Sequence, residues 1–260
     1  MENPGIHIEK RPPLAIVTID RPEVLNALNT ATLHELDLAF IGLEQDASIR
    51  VILLKGAGDR AFAAGADLRE LDVLAAGEGR NFATRGHAIF RRIETMGKPV
   101  IACIQGFALG GGCELAMACS LRLATDTARL GQPEVKVGII AGYGGSQRLP
   151  RLVGRGAALK LLLTGAIIDA YEALRIGLVD EVLPSAELMP RAEALAHEID
   201  ANAPLAIAGT LRAADQGLDL PLEEALALEA AIFGELCSTA DKTEGVQAFL
   251  NKRVAHWTGR

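Results

Sequence analysis

Short apolar runs that alternate with helical segments constrain the fold of this chain more than any other feature of its sequence. The run 14–19 reads LAIVTI and ends at an Asp-Arg-Pro turn, which is typical of a strand. The stretch 30–45 then carries apolar residues at helical spacing. Further strand-like runs lie at 51–55, 99–104, 121–125 and 178–183. This alternation predicts an α/β core.

The segments between these strands have their own signals. Thr32 and Glu35 have the spacing of a capping box at the start of a helix. The glycine- and alanine-containing segment 56–67 is predicted to be a loop, and 68–96 is predicted to be helical with a flexible middle. A second glycine-rich loop is predicted over 131–145.

The pattern changes near residue 188, beyond which we find only helical signals. Four helices are predicted there, at 188–201, 204–216, 222–236 and 242–255. We therefore predict a division into an α/β core over 1–195 and a helical region over 196–260.

Composition narrows the class of protein. Half of the 260 residues are hydrophobic and only 4% are aromatic, so the core is built mainly from Ala, Leu, Ile and Val. The apolar excess points to surface buried between subunits. A net charge of −7 argues against a nucleic-acid partner. With no apolar stretch long enough for a membrane span, no signal-peptide pattern and four cysteines without a C-x-x-C pair, we predict a cytoplasmic protein.

Several familiar sites are excluded by their spacing. The dinucleotide motif G-x-G-x-x-G fails at Leu115 and again at Gln147. The esterase motif G-x-S-x-G around Ser146 fails at Arg148. The five histidines are scattered and complete no H-E-x-x-H pair, so we expect no metal site.

Two runs of small residues stand where backbone amides can reach a ligand. The first is 62–68 (FAAGADL), in which Asp67 has the alternative role of a helix N-cap. The second is 110–116 (GGGCELA), where glycines precede an apolar helix and leave orphan N–H groups at its start. Such amides suit an oxygen that gains negative charge during a reaction. Glu114 in this turn has the alternative role of complementing the helix dipole.

A third constellation holds another carboxylate in apolar, glycine-rich surroundings. Glu134 follows Pro133, and the glycines at 142, 144 and 145 lie a short way beyond it. Desolvation there raises the pKa of a carboxyl group and suits acid–base work. A salt bridge of Glu134 with Lys136 or Arg148 is the alternative. Together Glu114 and Glu134 indicate a paired acid and base.

These residues resemble the enoyl-CoA hydratase/isomerase, or crotonase, family. The matching segments are 63–67 (AAGAD), 98–102 (KPVIA), 106–115 (GFALGGGCEL), 131–134 (GQPE) and 144–149 (GGSQRL), with weaker similarity at 21–28 and 249–253. The matching segments extend over nearly the whole chain and occur in the same order as in the family. It implies a β-β-α spiral core that carries the active site and a C-terminal helical region used for trimerisation, with trimers that commonly pair into hexamers.

The resemblance also implies roles for particular residues. The backbone amides of Ala66 and Gly111 would form an oxyanion hole for the thioester carbonyl of an acyl-coenzyme A. Glu114 would activate a water molecule, and Glu134 would chiefly donate a proton to C2. The amide of Gly142 would position the water. Further substrate contacts are implied for Leu25, Ala27, Ala64, Ala66, Asp67 and Leu68. Arg21, Arg69 and a neighbouring subunit's Lys252 are candidate partners of the coenzyme A phosphates, and a solvated surface charge is the favoured alternative for each of them.

Both glutamates are present, which favours a hydratase that adds water in syn fashion to a 2-trans-enoyl-CoA and gives a 3-hydroxyacyl-CoA. An enoyl-CoA isomerase or another acyl-CoA lyase of the family is the alternative, because isomerases typically keep a catalytic glutamate only at the position that matches Glu134. Ala141 departs from the proline that many hydratases have there. A non-catalytic, RNA-binding relative is disfavoured because the helix over 30–45 has no lysine or arginine. No cofactor is expected beyond the coenzyme A of the substrate.

Overall fold

The computed structural model describes residues 5–75 and 77–260, and the strands in these ranges form two sheets. They are β1 (Ile6–Arg11), β2 (Leu14–Ile19), β3 (Val51–Gly56), β4 (Ala61–Ala63), β5 (Val100–Ile104), β6 (Phe107–Leu109), β7 (Leu121–Thr125), β8 (Arg129–Gly131), β9 (Ile167–Asp169) and β10 (Glu181–Leu183). The larger sheet has the order β1-β2-β3-β5-β7-β10, and the smaller has the order β4-β6-β8-β9. Only β1–β2 and β8–β9 pair antiparallel.

The helices are numbered in the same way. They are α1 (Thr30–Gln45), α2 (Leu68–Asp72), α3 (Glu78–Thr95), α4 (Gly111–Met117), α5 (Gly145–Thr164), α6 (Ala170–Arg175), α7 (Leu188–Asp200), α8 (Pro204–Gly217), α9 (Leu222–Cys237) and α10 (Ala240–Leu250). Three short 3₁₀ turns lie at Pro22–Val24, Glu134–Val137 and Ser185–Glu187.

Successive turns of the chain follow one plan. In the pairs β3–β4, β5–β6 and β7–β8, the first strand joins the larger sheet, the second joins the smaller sheet, and a helix follows. This repeated strand–strand–helix winding confirms the predicted α/β spiral core. The functional consequence is that the ends of β4, β6 and β8, which are parallel neighbours in the smaller sheet, lie side by side.

Burial explains why the central strands were easy to recognise. All five residues of β5 are buried, as are the first four of β3, and parallel strands covered on both faces read as continuous apolar runs. One face of the larger sheet packs against α1, α3 and α4 in the main core. The other face is covered by α7 through Leu188, Ala192 and Ala196.

Several local predictions were wrong for physical reasons. Strand β1 was missed because its side chains after Ile6 are exposed and largely polar, so it lacks an apolar signal. Strand β4 lies within the predicted loop 56–67 and is only three residues long. The predicted helical stretch 68–96 consists of two helices, which are separated near its predicted glycine-containing middle: α2 ends at Asp72 and α3 begins at Glu78. The N-cap of α1 is Asn29, whose side chain accepts from the amide of Thr32 at 2.8 Å, whereas Glu35 accepts from the amide of Ile6 at 3.1 Å.

The four predicted C-terminal helices are confirmed as α7 to α10, except that the last, predicted over 242–255, ends at Leu250. The predicted division after residue 195 falls inside α7, which packs on the larger sheet, and this division stays a prediction. On α8 to α10 and the segments that flank them, many large apolar side chains are exposed; they include Leu218, Leu222, Phe233, Phe249, Leu250 and Val254. None of the described helices is both long and apolar enough to cross a bilayer.

Candidate active site

Two backbone amides meet where β4 and β6 end. The bonds from Leu28 N to Gly65 O (2.8 Å) and from Asp67 N to Leu28 O (3.0 Å) hold the chain on either side of Ala66. Neither bond uses the Ala66 N–H. A β-carbon built on Gly111 would lie 3.3 Å from the Ala66 nitrogen, so the starts of α2 and α4 face each other closely.

The start of α4 requires glycine. Gly110 has a left-handed φ of 50°, and a β-carbon on Gly112 would overlap the carbonyl group of Ala63. Without a side chain at 112, α4 packs closely against the end of β4, and Gly111 lines the same cavity as Ala66. Within residues 5–75 and 77–260 neither the Ala66 amide nor the Gly111 amide has a hydrogen-bond partner. Two free donors of this kind suit an oxygen that becomes negatively charged.

Asp67 has the structural role that the sequence left open as an alternative. Its carboxylate accepts from the amide of Arg69 at 3.1 Å and caps α2. It also lies 3.7 Å from the guanidinium of Arg21. Capping and ligand binding are compatible, because a capped helix start directs its free amides toward the same space.

Glu114 lies one turn into α4, with only 1% of its surface exposed. Its Oε1 accepts from the amides of Tyr143 (2.8 Å) and Gly145 (2.6 Å). The carboxylate is therefore tied to the loop before α5. Burial, opposed by these two amides and reinforced by the charge of Glu134, raises the pKa of Glu114 to about 7. Its Oε2 has no hydrogen bond to any described residue and is free to meet a water molecule.

Glu134 begins the 3₁₀ turn that follows β8, and it is half-buried. Desolvation raises the pKa of its carboxyl group. A β-carbon on Gly110 would lie 2.7 Å from its Oε1, so the carboxylate borders the glycine turn that carries Gly111. The described ion pairs do not include Glu134. Arg148, one of its candidate partners, instead pairs with Glu94, with 3.0 Å between Nη2 and Oε2.

Sequence reasoning missed Gln132, which is fully buried beside Glu134. The amide orientation that satisfies its surroundings places its nitrogen 3.0 and 3.2 Å from the two Glu134 carboxylate oxygens. Gln132 therefore holds the Glu134 carboxylate in place. The signal that could have revealed it is a polar amide inside the otherwise small and apolar run Gly131-Gln132-Pro133.

These groups share one open cavity of about 650 Å³. Of the predicted site residues, its lining includes Ala64, Ala66, Leu68, Gly111, Glu114, Glu134 and Gly142. Leu25, Ala27 and Asp67 are not in this lining. The Leu25 carbonyl accepts from the amide of Ala64 at 3.0 Å, and the Ala27 carbonyl accepts from Arg21 at 2.6 Å. Leu25 thus supports a residue of the cavity lining, and direct contact of Leu25, Ala27 or Asp67 with a substrate stays a prediction.

Besides the two carboxylates and the backbone amides, the cavity is lined by Lys136 and Tyr143. Among the described residues, no group of three or more His, Cys, Asp or Glu side chains could hold a metal ion. Cys113 is fully buried next to Glu114, and burial raises the pKa of its thiol to about 12, so it is no nucleophile near neutral pH. The arrangement can therefore polarise a carbonyl oxygen and move protons.

The fold and this site are those expected of an enzyme that can stabilise an oxyanion beside two carboxylates. The sequence profile of the enoyl-CoA hydratase/isomerase family matches residues 9–260, and the chain belongs to that family. It is 47% identical to a short-chain-enoyl-CoA hydratase of Clostridium acetobutylicum, over 97% of each chain. It is 45% identical to a crotonyl-CoA hydratase of Syntrophomonas wolfei, over 98% of each chain.

Solved structures agree with this assignment. The crystal structure of an enoyl-CoA hydratase from Bacillus anthracis superposes with a TM-score of 0.95 at 37% identity, covering 98% of this chain and 100% of that one. An enoyl-CoA hydratase from Geobacillus kaustophilus superposes with a TM-score of 0.95 at 31% identity, covering 100% and 98%. The predicted crotonase-like fold is thereby confirmed.

Proposed function

We propose that this protein is an enoyl-CoA hydratase, a hydro-lyase that reversibly adds water to a 2-trans-enoyl-CoA and gives a 3-hydroxyacyl-CoA. One observation carries the proposal: Glu114 and Glu134 line the same cavity as Ala66 and Gly111, whose amides are free. The relatives described above, named as hydratases, support the same activity.

In this mechanism the thioester oxygen accepts hydrogen bonds from the Ala66 and Gly111 amides. Water adds to C3 while the electrons of the double bond shift toward the thioester, so the oxygen becomes enolate-like and its bonds to both amides strengthen. The Oε2 atom of Glu114 takes a proton from the water, and Glu134 donates a proton to C2. One proton is thus lost by water and one gained by carbon, and exchange through solvent resets the pair.

Desolvation raises the pKa of both carboxyl groups above the ordinary value of a glutamate. The raised pKa values do not by themselves separate base from acid, since a coupled pair titrates as a unit. We assign water activation to Glu114 because its two amide bonds fix its position. Gly142, on the same loop and in the cavity lining, is proposed to position the water. No cofactor is proposed, and full activity after dialysis against EDTA would support that.

The experiment that tests the function is hydration of crotonyl-CoA, followed by the loss of the ultraviolet absorbance of the enoyl thioester. Absence of turnover with every 2-enoyl-CoA from four to sixteen carbons would refute it. An isomerase that uses only Glu134 is the second candidate. The variant Glu114→Ala distinguishes the two candidates. It would abolish the hydration catalysed by a hydratase, but it would leave intact the double-bond migration that an isomerase catalyses on a 3-enoyl-CoA.

We also propose a homotrimer, or a hexamer formed from two trimers. The exposed apolar side chains on α8 to α10 support this, because large apolar patches rarely stay in water. Light scattering after gel filtration is expected to give three or six times 27.4 kDa, and a monomer at micromolar concentration would contradict it. A cytoplasmic location and the absence of nucleic-acid and membrane partners remain predictions from the sequence.

A further inference from the structure

An aromatic cluster closes the cavity behind the two amides. The Tyr143 ring stacks on Phe82 with centroids 5.3 Å apart and an interplanar angle of 29°. Phe90 packs edge-on against the same ring at 5.5 Å. Only 2% of Tyr143 is exposed. The ring, which belongs to the loop before α5, is therefore held firmly against α3.

Two glycines let this ring lie so close to the reacting centre. A β-carbon on Gly86 of α3 would overlap the Tyr143 ring, and one on Gly111 would lie 3.0 Å from it. The ring thus fills the gap between α3 and the start of α4. Phe82 and Tyr143 both border the cavity, whereas Phe90 and Gly86 lie behind them.

The lining of the cavity offers an apolar path for a bound acyl chain. A thioester held at the Ala66 and Gly111 amides, with its C2 and C3 near the carboxylates, extends its tail among the apolar residues of the lining. Leu71, Leu74 and Phe82 line that space. The Tyr143 ring, which lies against Gly111 and Phe82, borders that space at the glycine turn.

We propose that the Tyr143 ring limits acyl-chain length, so that the enzyme prefers short, straight 2-enoyl chains of about four to six carbons. Where space is available, each further buried methylene improves kcat/KM about four-fold. Where the ring blocks the path, that gain is lost and longer chains must bend or shift the thioester away from the amides. This inference rests on the hydratase function proposed above.

The test compares kcat/KM for crotonyl-CoA with that for trans-2-octenoyl-CoA. In the unaltered enzyme the eight-carbon substrate is expected to be at least about ten-fold poorer. In Tyr143→Ala the ratio of eight-carbon to four-carbon kcat/KM is expected to rise at least about ten-fold. This is a small part of the gain that full burial of the four extra methylenes would give. The backbone N–H that holds Glu114 survives this substitution.

Tyr143→Phe is the matched control. The Tyr143 hydroxyl has no hydrogen-bond partner in the described chain, so phenylalanine keeps the ring and loses no bond. Its chain-length ratio is expected to stay within about three-fold of the unaltered enzyme. A merely structural role for Tyr143 would lower kcat for all chain lengths alike and leave the ratio unchanged.

Equal kcat/KM for both substrates in the unaltered enzyme would overturn the inference, and so would an unchanged ratio in a folded Tyr143→Ala. Either result leaves the hydratase function standing. Absence of turnover with every chain would instead refute the function itself. If circular dichroism shows that Tyr143→Ala is unfolded, Tyr143→Leu carries the same test, because it keeps more of the core filled while removing the ring.

Discussion

Replacing Glu114 by glutamine separates the chemical role of this carboxylate from its structural role. Glutamine has nearly the same shape, and its carbonyl oxygen can still accept from the amides of Tyr143 and Gly145. Its NH₂ group would take the place of Oε2 toward the cavity. The substitution therefore keeps the loop in place and removes only the negative charge and the ability to take a proton.

The loss of activity is expected to be large. General acid–base catalysis contributes about 10²–10⁴ in rate. Because each factor of ten corresponds to about 1.36 kcal/mol, Glu114→Gln is expected to raise the barrier by about 3–5 kcal/mol. KM for crotonyl-CoA is expected to change little, since the Ala66 and Gly111 amides are untouched.

Stability is expected to move in the opposite direction. The pKa of Glu114 is raised from 4.5 to about 7, so the folded chain binds this proton more tightly than the unfolded chain. Stability from this group is fully present below about pH 4.5, falls as the pH rises, and is lost above about pH 7. At about 1.36 kcal/mol per pH unit, the loss is about 3 kcal/mol. Glutamine, which is neutral at every pH, avoids it.

The assay is urea unfolding of both proteins at pH 5 and pH 8, at one protein concentration, beside crotonyl-CoA hydration. We compare the free energy of unfolding of Glu114→Gln with that of the unaltered enzyme at each pH. The difference in favour of the variant is expected to be larger at pH 8 than at pH 5, by up to about 3 kcal/mol. Glu172→Gln is the matched control, since this exposed carboxylate pairs with Arg175 away from the cavity and its loss affects neither activity nor that gain. A variant that is less stable at pH 8, or that keeps near-full activity, would refute the reasoning.

Two further predictions concern the groups around the carboxylates. Gln132→Leu removes the amide that lies 3.0 and 3.2 Å from the Glu134 oxygens. It is expected to lower kcat about ten-fold and to shift the Glu134-dependent limb of the pH–rate profile upward, because a lost donor favours the protonated form; an unchanged profile would contradict this role. Gly112→Ala forces a methyl group onto the Ala63 carbonyl and is expected to displace the Gly111 amide, with a loss of at least about 10² in kcat. Its control is Gly156→Ala in α5, where an added methyl group meets nothing within 4 Å. Equal activity of the two variants would contradict the expected effect of displacing the Gly111 amide.

Much of the fold could be predicted from local sequence patterns. Buried parallel strands such as β3 and β5 are recognisable because both faces are apolar, and the glycine turn before α4 is recognisable because its backbone needs glycine. The same logic found Glu114 and Glu134, since a carboxylate in small, apolar surroundings is unusual. Strand β1 could not be found in this way, because its pairing with β2 uses backbone groups while its side chains face solvent.

Contacts between distant segments were beyond the reach of local patterns. Nothing in the sequence around Glu114 indicates that the amides of Tyr143 and Gly145 will hold it. The pairing of Arg148 with Glu94 on α3 is equally non-local, and it removed Arg148 as a partner of Glu134. Tyr143, one of only two tyrosines in the chain, was visible as an aromatic residue among glycines. Its position between α3 and α4 depends on the tertiary packing.

The winding of the core has a consequence for how such enzymes diversify. Ala66 follows β4, Gly111 and Glu114 follow β6, and Glu134 follows β8, so each turn of the chain supplies its own part of the site. An evolving gene can therefore exchange the proposed acid, Glu134, on one turn while the amides of Ala66 and Gly111 on the other turns keep their geometry. In this architecture new reactions on acyl thioesters are reached by substitutions within a single turn, without redesign of the scaffold.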